Sequence, residues 1–133
     1  MRAKIDIKGF DEYFEQLKKL GGDVETAGVE CVEAGVDILY QEMHKRIARH
    51  KDSGAELASL VKEPVKNYSG YIHGFAGTVK DRNPEGFMRS VYQEFGSPTF
   101  SKDPWLRPAE QAAKRKYTKR CEEILKKHGV DCT

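Results

Sequence analysis

The chain opens on a short alternation. Residues 4–8 read Lys-Ile-Asp-Ile-Lys, the period of two expected of a half-buried strand, and Gly9 breaks it. From Phe10 the period becomes helical. Phe10, Tyr13, Phe14, Leu17 and Leu20 share one face, with Asp11 and Glu12 at the start and Lys18 and Lys19 at the end, a charge order that suits the helix dipole. Gly21-Gly22 closes this helix. A second begins at Asp23, whose carboxylate can accept from the first unbonded N–H groups, and extends to residue 50. Along it Val29, Val32, Val36, Leu39, Met43 and Ile47 draw one apolar stripe through about seven turns. Gly28 and Gly35 each weaken a helix by about 1 kcal/mol relative to alanine, so they imply either close packing or a softer helix there.

Asp52-Ser53-Gly54 ends the long helix, and the composition then turns to Val, Tyr, Ile, Phe and Thr. Two strands are predicted over 58–66 and 71–80, with a turn at Asn67-Tyr68-Ser69-Gly70. Residues 81–86 are dense in turn formers. Phe87, Val91 and Phe95 then alternate with polar residues apart from Met88 and Tyr92, which predicts a third strand over 87–95 and an antiparallel meander. A loop with two prolines covers 96–107. A final helix over 108–128 starts with Pro108 at an early position where its missing N–H costs nothing, and buries Leu106, Ala109, Ala113, Tyr117, Cys121 and Ile124. Gly129 ends it and 129–133 form a tail. The expected fold is therefore one α+β domain over 1–133: an N-terminal strand (1–9), a helical region (10–52), antiparallel strands (58–95), the loop and the last helix. Its small sheet of three to four strands is covered on one face by the long helix and the C-terminal helix.

Composition narrows the function. With 33% charged and 38% hydrophobic residues, the chain has a thin core and a large charged surface, yet its thirteen aromatic residues argue against disorder. No stretch is long and apolar enough to span a bilayer, and the first ten residues lack the apolar core of a signal peptide, so a cytoplasmic site of synthesis and no membrane partner are expected. Cys31, Cys121 and Cys132 have neither disulfide-framework nor zinc spacing and read as reduced thiols. Residues 1–64 hold ten basic and thirteen acidic side chains, residues 65–133 thirteen and eight, an asymmetry that permits an acidic partner surface.

The chain offers little for catalysis. His44 and His50 are six apart and lie on different sides of a helix, unlike an i, i+4 metal pair; His73 sits mid-strand and His128 near a helix end. Gly70, Gly74 and Gly77 do not make a phosphate-binding loop and read instead as a bulge or tight packing. A hydrolase built on His73 with Glu94 or Asp81 lacks a nucleophile and an oxyanion site. The reading is of a non-enzyme with no cofactor and no metal. Lys114, Arg115, Lys116, Lys119, Arg120, Lys126 and Lys127 form the one basic cluster, spread around most of a helix and diluted by Glu110, Glu122 and Glu123. It supports a solvated face first, and a nucleic-acid-binding accessory protein as the alternative function.

The segment Tyr92-Gln93-Glu94-Phe95-Gly96-Ser97-Pro98, followed by Pro104-Trp105-Leu106-Arg107-Pro108-Ala109, differs in kind. A structural account has Phe95, Trp105 and Leu106 pin the last helix on the sheet while Arg107 offsets Glu94. The strand-end "EFG" and the "P-aromatic-L-R-P-A" motif also resemble the small neck, or tail-completion, proteins of long-tailed bacteriophages and prophages. The order of elements is similar too: Gly9-Phe10 after a short strand, "LKKL" at 17–20, a long helix, then Ser53-Gly54 with Leu57, a likeness over roughly residues 5–125. Where many relatives have "TG-x-L-x-x-S", this chain has Ser53-Gly54-Ala55-Glu56-Leu57, and Gln93 replaces a usually apolar residue.

The resemblance implies a structural virion part, made in the host cytoplasm and ending in the virion neck or tail. Such a part forms a ring of six at the tail end or head-to-tail junction, with itself and other phage neck or tail proteins as partners. It places the contacts at Glu94, Phe95, Gly96, Phe100, Trp105, Arg107 and Pro108. The two prolines of the loop stiffen it, so that an exposed Phe100 there would serve as an anchor at low entropic cost.

Overall fold

A computed structural model describes residues 1–49, 54–99 and 101–132. The chain runs β1 (Arg2–Asp6), a single 3-10 turn (Lys8–Phe10), α1 (Asp11–Lys19), α2 (Val24–Ile47), α3 (Ala55–Ser59), β2 (Leu60–Lys62), β3 (Lys66–Tyr68), β4 (Tyr71–Thr78), α4 (Pro84–Phe95) and α5 (Leu106–Lys127). It is an α+β fold whose antiparallel sheet is organised around β4. β1 lies along one edge of β4, from Arg2 opposite Gly77 to Asp6 opposite His73. β2 and β3 share the other edge, Leu60 opposite Thr78 and Lys66 opposite His73. The strand expected over 58–66 is thus two pieces. Pro64, which has no N–H for the ladder, falls in the gap, and residues 55–59 are helical.

One face of the sheet carries Ala3, Ile5, Leu60, Ile72 and Ala76 into the core, where α2 crosses them and α5 packs along α2. The start of α2 is fixed as the sequence predicts: Asp23 accepts the Thr26 N–H at 3.0 Å and the Thr26 hydroxyl at 2.6 Å, and these bonds lower its pKa. The helical glycines serve close packing. A Cβ on Gly35 would lie 2.6 Å from Ile5 and 2.7 Å from the Tyr117 ring, so alanine there would push β1 and α5 off α2. Cys31 and Cys121 are buried, unpaired thiols on α2 and α5. Cys121's thiol is pushed up by its hydrogen bond to Cys31 and by burial.

Two further elements differ from expectation. Residues 84–95 form a helix, not a third strand, and α5 begins two residues earlier than Pro108. The expected ending of α2, at residues 50–53, lies outside the described residues.

Candidate docking surface

Helix α4 starts because Asn83 caps it. The Asn83 side chain accepts the Gly86 N–H at 2.9 Å, and Pro84 occupies the first position, where no N–H is needed. Its orientation is set by what touches it. A Cβ on Gly86 would lie 1.8 Å from the Ala55 carbonyl oxygen, so only glycine allows α4 to approach α3 this closely. Ser90 donates to the Phe87 carbonyl at 2.6 Å and accepts the Thr78 hydroxyl of β4 at 2.8 Å. Gly86, Ser90, Gln93 and Glu94 consequently face inward. The apolar residues face out: Met88 is 41% exposed, Tyr92 44% and Phe95 71%. Phe87 and Val91 lie half-buried beside them. An amphipathic helix with its apolar stripe toward solvent reverses the usual arrangement.

The motif joining α4 to α5 is an internal brace. The first N–H groups of a helix have no partner within it. Here Glu94 Oε1 accepts the Trp105 and Leu106 N–H groups at 2.8 and 2.7 Å, and Oε2 accepts that of Arg107 at 3.3 Å. Pro108 has no N–H, and the Ala109 N–H begins the helical ladder on the Trp105 carbonyl at 3.2 Å. Every donor at the start of α5 is accounted for, and the carboxylate sits at the positive end of the helix dipole. Trp105, fully buried, donates its indole N–H to the Ser90 carbonyl at 2.8 Å, tying α5 back to α4. Gly96 turns the chain with φ of +80°, a conformation that favours glycine.

The site residues expected from sequence therefore divide. Glu94 is only 8% exposed with both oxygens engaged, so the expectation of an open contact surface around Glu94 and Arg107 is corrected for Glu94. Trp105 ties α5 to α4 through its indole N–H, Arg107 meets Glu94 through its backbone N–H, and Phe95 is 71% exposed. Phe95 and the Arg107 side chain are at the surface, Pro108 is half-buried, and Phe100 lies outside the described residues. Sequence reading passed over Met88 and Tyr92. The signal was present, since 87, 88, 91, 92 and 95 are a helical set.

A second feature flanks the same junction. Between β1 and the first half of α5 runs a cleft of about 530 Å³ with Ala3, Ile5, Phe10, Leu39 and Tyr117 at its base and Arg107, Glu110, Gln111 and Lys114 along one side. Tyr117 donates to the Asp6 carbonyl at 2.8 Å, linking α5 to β1. Burial pushes the Glu110 carboxyl up; Glu94 adds to this and Arg107 opposes it.

Several charges elsewhere are paired within the chain. Glu42 of α2 is buried, which alone would raise its pKa, but Lys116 of α5 together with Arg46 (2.6 Å) and Lys45 (3.0 Å) holds it at about 2. His128 meets Glu30 at 3.0 Å, and Lys127 reaches the same carboxylate at 3.3 Å. His73 is stacked on Tyr71 on the outer face of the sheet, opposite the core side on which Glu94 braces α5, so that pair is not assembled. Among the described residues no group of three or more His, Cys, Asp or Glu could hold a metal ion, and no helix is long and apolar enough to cross a membrane.

Compared with protein-family models, curated proteins and solved structures, the chain matches none.

Proposed function

We propose that this protein is a structural assembly component of a phage or prophage, acting by docking rather than catalysis and forming a ring at the tail end or head-to-tail junction. One observation carries the reading: the bare apolar stripe of Met88, Tyr92 and Phe95 on a helix braced from behind by Glu94 and Trp105. A rigidly held aromatic loses little entropy on contact, which is what a binding anchor requires. The motif that suggests the neck and tail-completion proteins is the same brace, so the resemblance and the exposed stripe bear on one region. The basic helix supports the nucleic-acid alternative less well, because Lys116 and Lys127 turn back onto Glu42 and Glu30 of α2, and Arg120 pairs with Glu123.

The test is complementation of a phage lacking this protein. Wild type should restore joined, infectious particles and Phe95→Ser should not, although it folds. Restoration by Phe95→Ser would remove the stripe from the function. Normal joined particles without the protein would remove the function itself, and strong salt-dependent retention of the isolated protein on DNA would favour the nucleic-acid reading.

A further inference from the structure

We infer that the free edge of β1 and the flank of α5 form a groove that receives an extended peptide of another protein as an added strand. This peptide site stands apart from the virion reading. The register of the sheet decides it. Met1 and Thr78 exchange both bonds: the Thr78 N–H donates to the Met1 carbonyl at 2.9 Å, and the Met1 nitrogen to the Thr78 carbonyl at 2.7 Å. Bonded and non-bonded pairs alternate along an antiparallel ladder. Ala3 and Ile5 therefore turn their backbone groups toward β4, while Arg2, Lys4 and Asp6 turn theirs away from it. Two further bonds agree. The carbonyl of Phe75, which lies opposite Lys4, accepts the Glu63 N–H at 2.8 Å on the far side of β4, and the Asp6 carbonyl accepts the Tyr117 hydroxyl from α5. Among the described residues β1 pairs with no strand but β4.

The cleft lies beside this edge. α2 packs on β4 and β1, and α5 lies next to α2 and reaches the sheet at β1, so the helix layer extends past the edge strand. A strand added to β1 would lie over α5. Its backbone would meet the N–H and C=O groups of Arg2 and Lys4 and the N–H of Asp6, and the Tyr117 bond to the Asp6 carbonyl closes the ladder at that end. Every second side chain would enter the base formed by Ala3, Ile5, Phe10 and Leu39. Charges around the cleft are of both signs, Asp6 and Glu110 against Arg107 and Lys114. Recognition therefore rests on backbone pairing and on apolar side chains at alternate positions, not on net charge. A strand edge left unpaired beside an apolar trough is the arrangement that strand addition uses.

The probe is a library of short random peptides displayed and selected on the full chain, followed by synthetic copies of the selected sequence. N-methylation of alternate peptide residues, those whose N–H faces β1, should abolish binding, and methylation of the residues between them should not. Hydrogen exchange at the Arg2, Lys4 and Asp6 amides should slow in the complex. Lys4→Pro removes an outward N–H and leaves the bonds to β4 in place, so it should raise the dissociation constant at least about tenfold. Lys4→Ala keeps that N–H and should stay within about threefold of wild type. Gln111→Trp fills the cleft from an exposed position, should also raise the constant at least about tenfold, and keeps the test valid should Lys4→Pro misfold. Failure to enrich any peptide overturns the inference. So does a selected peptide that shows no alternation under N-methylation, or that binds folded Lys4→Pro and Gln111→Trp as tightly as wild type. A peptide whose binding is lost with Phe95→Ser and kept with Gln111→Trp belongs to the α4 stripe, and it overturns the groove as well.

Discussion

Two aromatic surfaces of this molecule face solvent, and they are finished differently. On the outer face of the sheet, Tyr71 stacks on His73 along β4 with the rings 4.7 Å apart, Phe75 meets His73 edge-on, and Tyr68 of β3 lies beside them. Cations close this ladder: Arg2 lies 4.7 Å above the Phe75 ring, and Lys4 and Lys8 lie 5.4 and 5.5 Å from that of Tyr71. On α4, Met88, Tyr92 and Phe95 have no such cover among the described residues. The contrast teaches that aromatic content alone does not mark an interface. On the sheet face, cation–π and ring contacts partly cover Tyr71, His73 and Phe75, while Tyr68 at its edge stays 63% exposed. The α4 face is held rigid and left open.

The comparison breaks most severely at the brace. Trp105→Ala should cost about 3–5 kcal/mol in denaturant unfolding, as removal of a fully buried indole does. With α4 loosened, the stripe should also lose its anchoring power. A cost below about 1 kcal/mol would mean that the brace does not hold α4.

Acid provides a second handle, one that loosens the α2–α5 support beneath both surfaces. Glu42 is held at about 2 against an ordinary 4.5, so the unfolded chain takes up its proton first. Its contribution is complete above pH 4.5 and is lost as pH falls toward 2. Glu42→Gln should cost about 1–3 kcal/mol at neutral pH and flatten that acid limb of a stability profile. An unchanged acid limb would show that the Lys116, Arg46 and Lys45 cluster does not control it.

Arg2→Ala should uncap one ring of the sheet face at a cost of at most about 1 kcal/mol, with self-association unaltered. If association falls, the sheet face is an interface after all. Phe95→Ser should change stability least, within about 0.5 kcal/mol, because the ring is mostly in water already. A large destabilisation would show that Phe95 packs on its own molecule and would leave the stripe without its anchor.

Much of the fold was legible because its signals are local. The alternation at 4–8, the Asp23 cap and the 3–4 spacing of α2 and α5 each describe an element whose inner face is apolar, and each element is present. α4 was misread for a definite reason. Phe87, Val91 and Phe95 are four apart, and a step of four fits both a strand, where it returns to one face, and a helix, where it advances little more than a turn. Met88 and Tyr92 broke the alternation, but the turn formers at 81–86 and the preceding strands suggested a meander.

The sequence by itself determined which segments are amphipathic, where α2 begins, and that the motifs holding Glu94 and Trp105 stand side by side in the chain. Only the tertiary structure decided which way the amphipathic faces turn. Periodicity defines a stripe without saying whether core or solvent lies against it. For α4 that choice was made by contacts distant in the chain: Gly86 on the Ala55 carbonyl, Ser90 on Thr78, and Trp105 on Ser90. The same contacts turned Glu94 from a surface charge into the cap of the next helix, because its carboxylate and the free N–H groups of α5 meet only once both helices are packed.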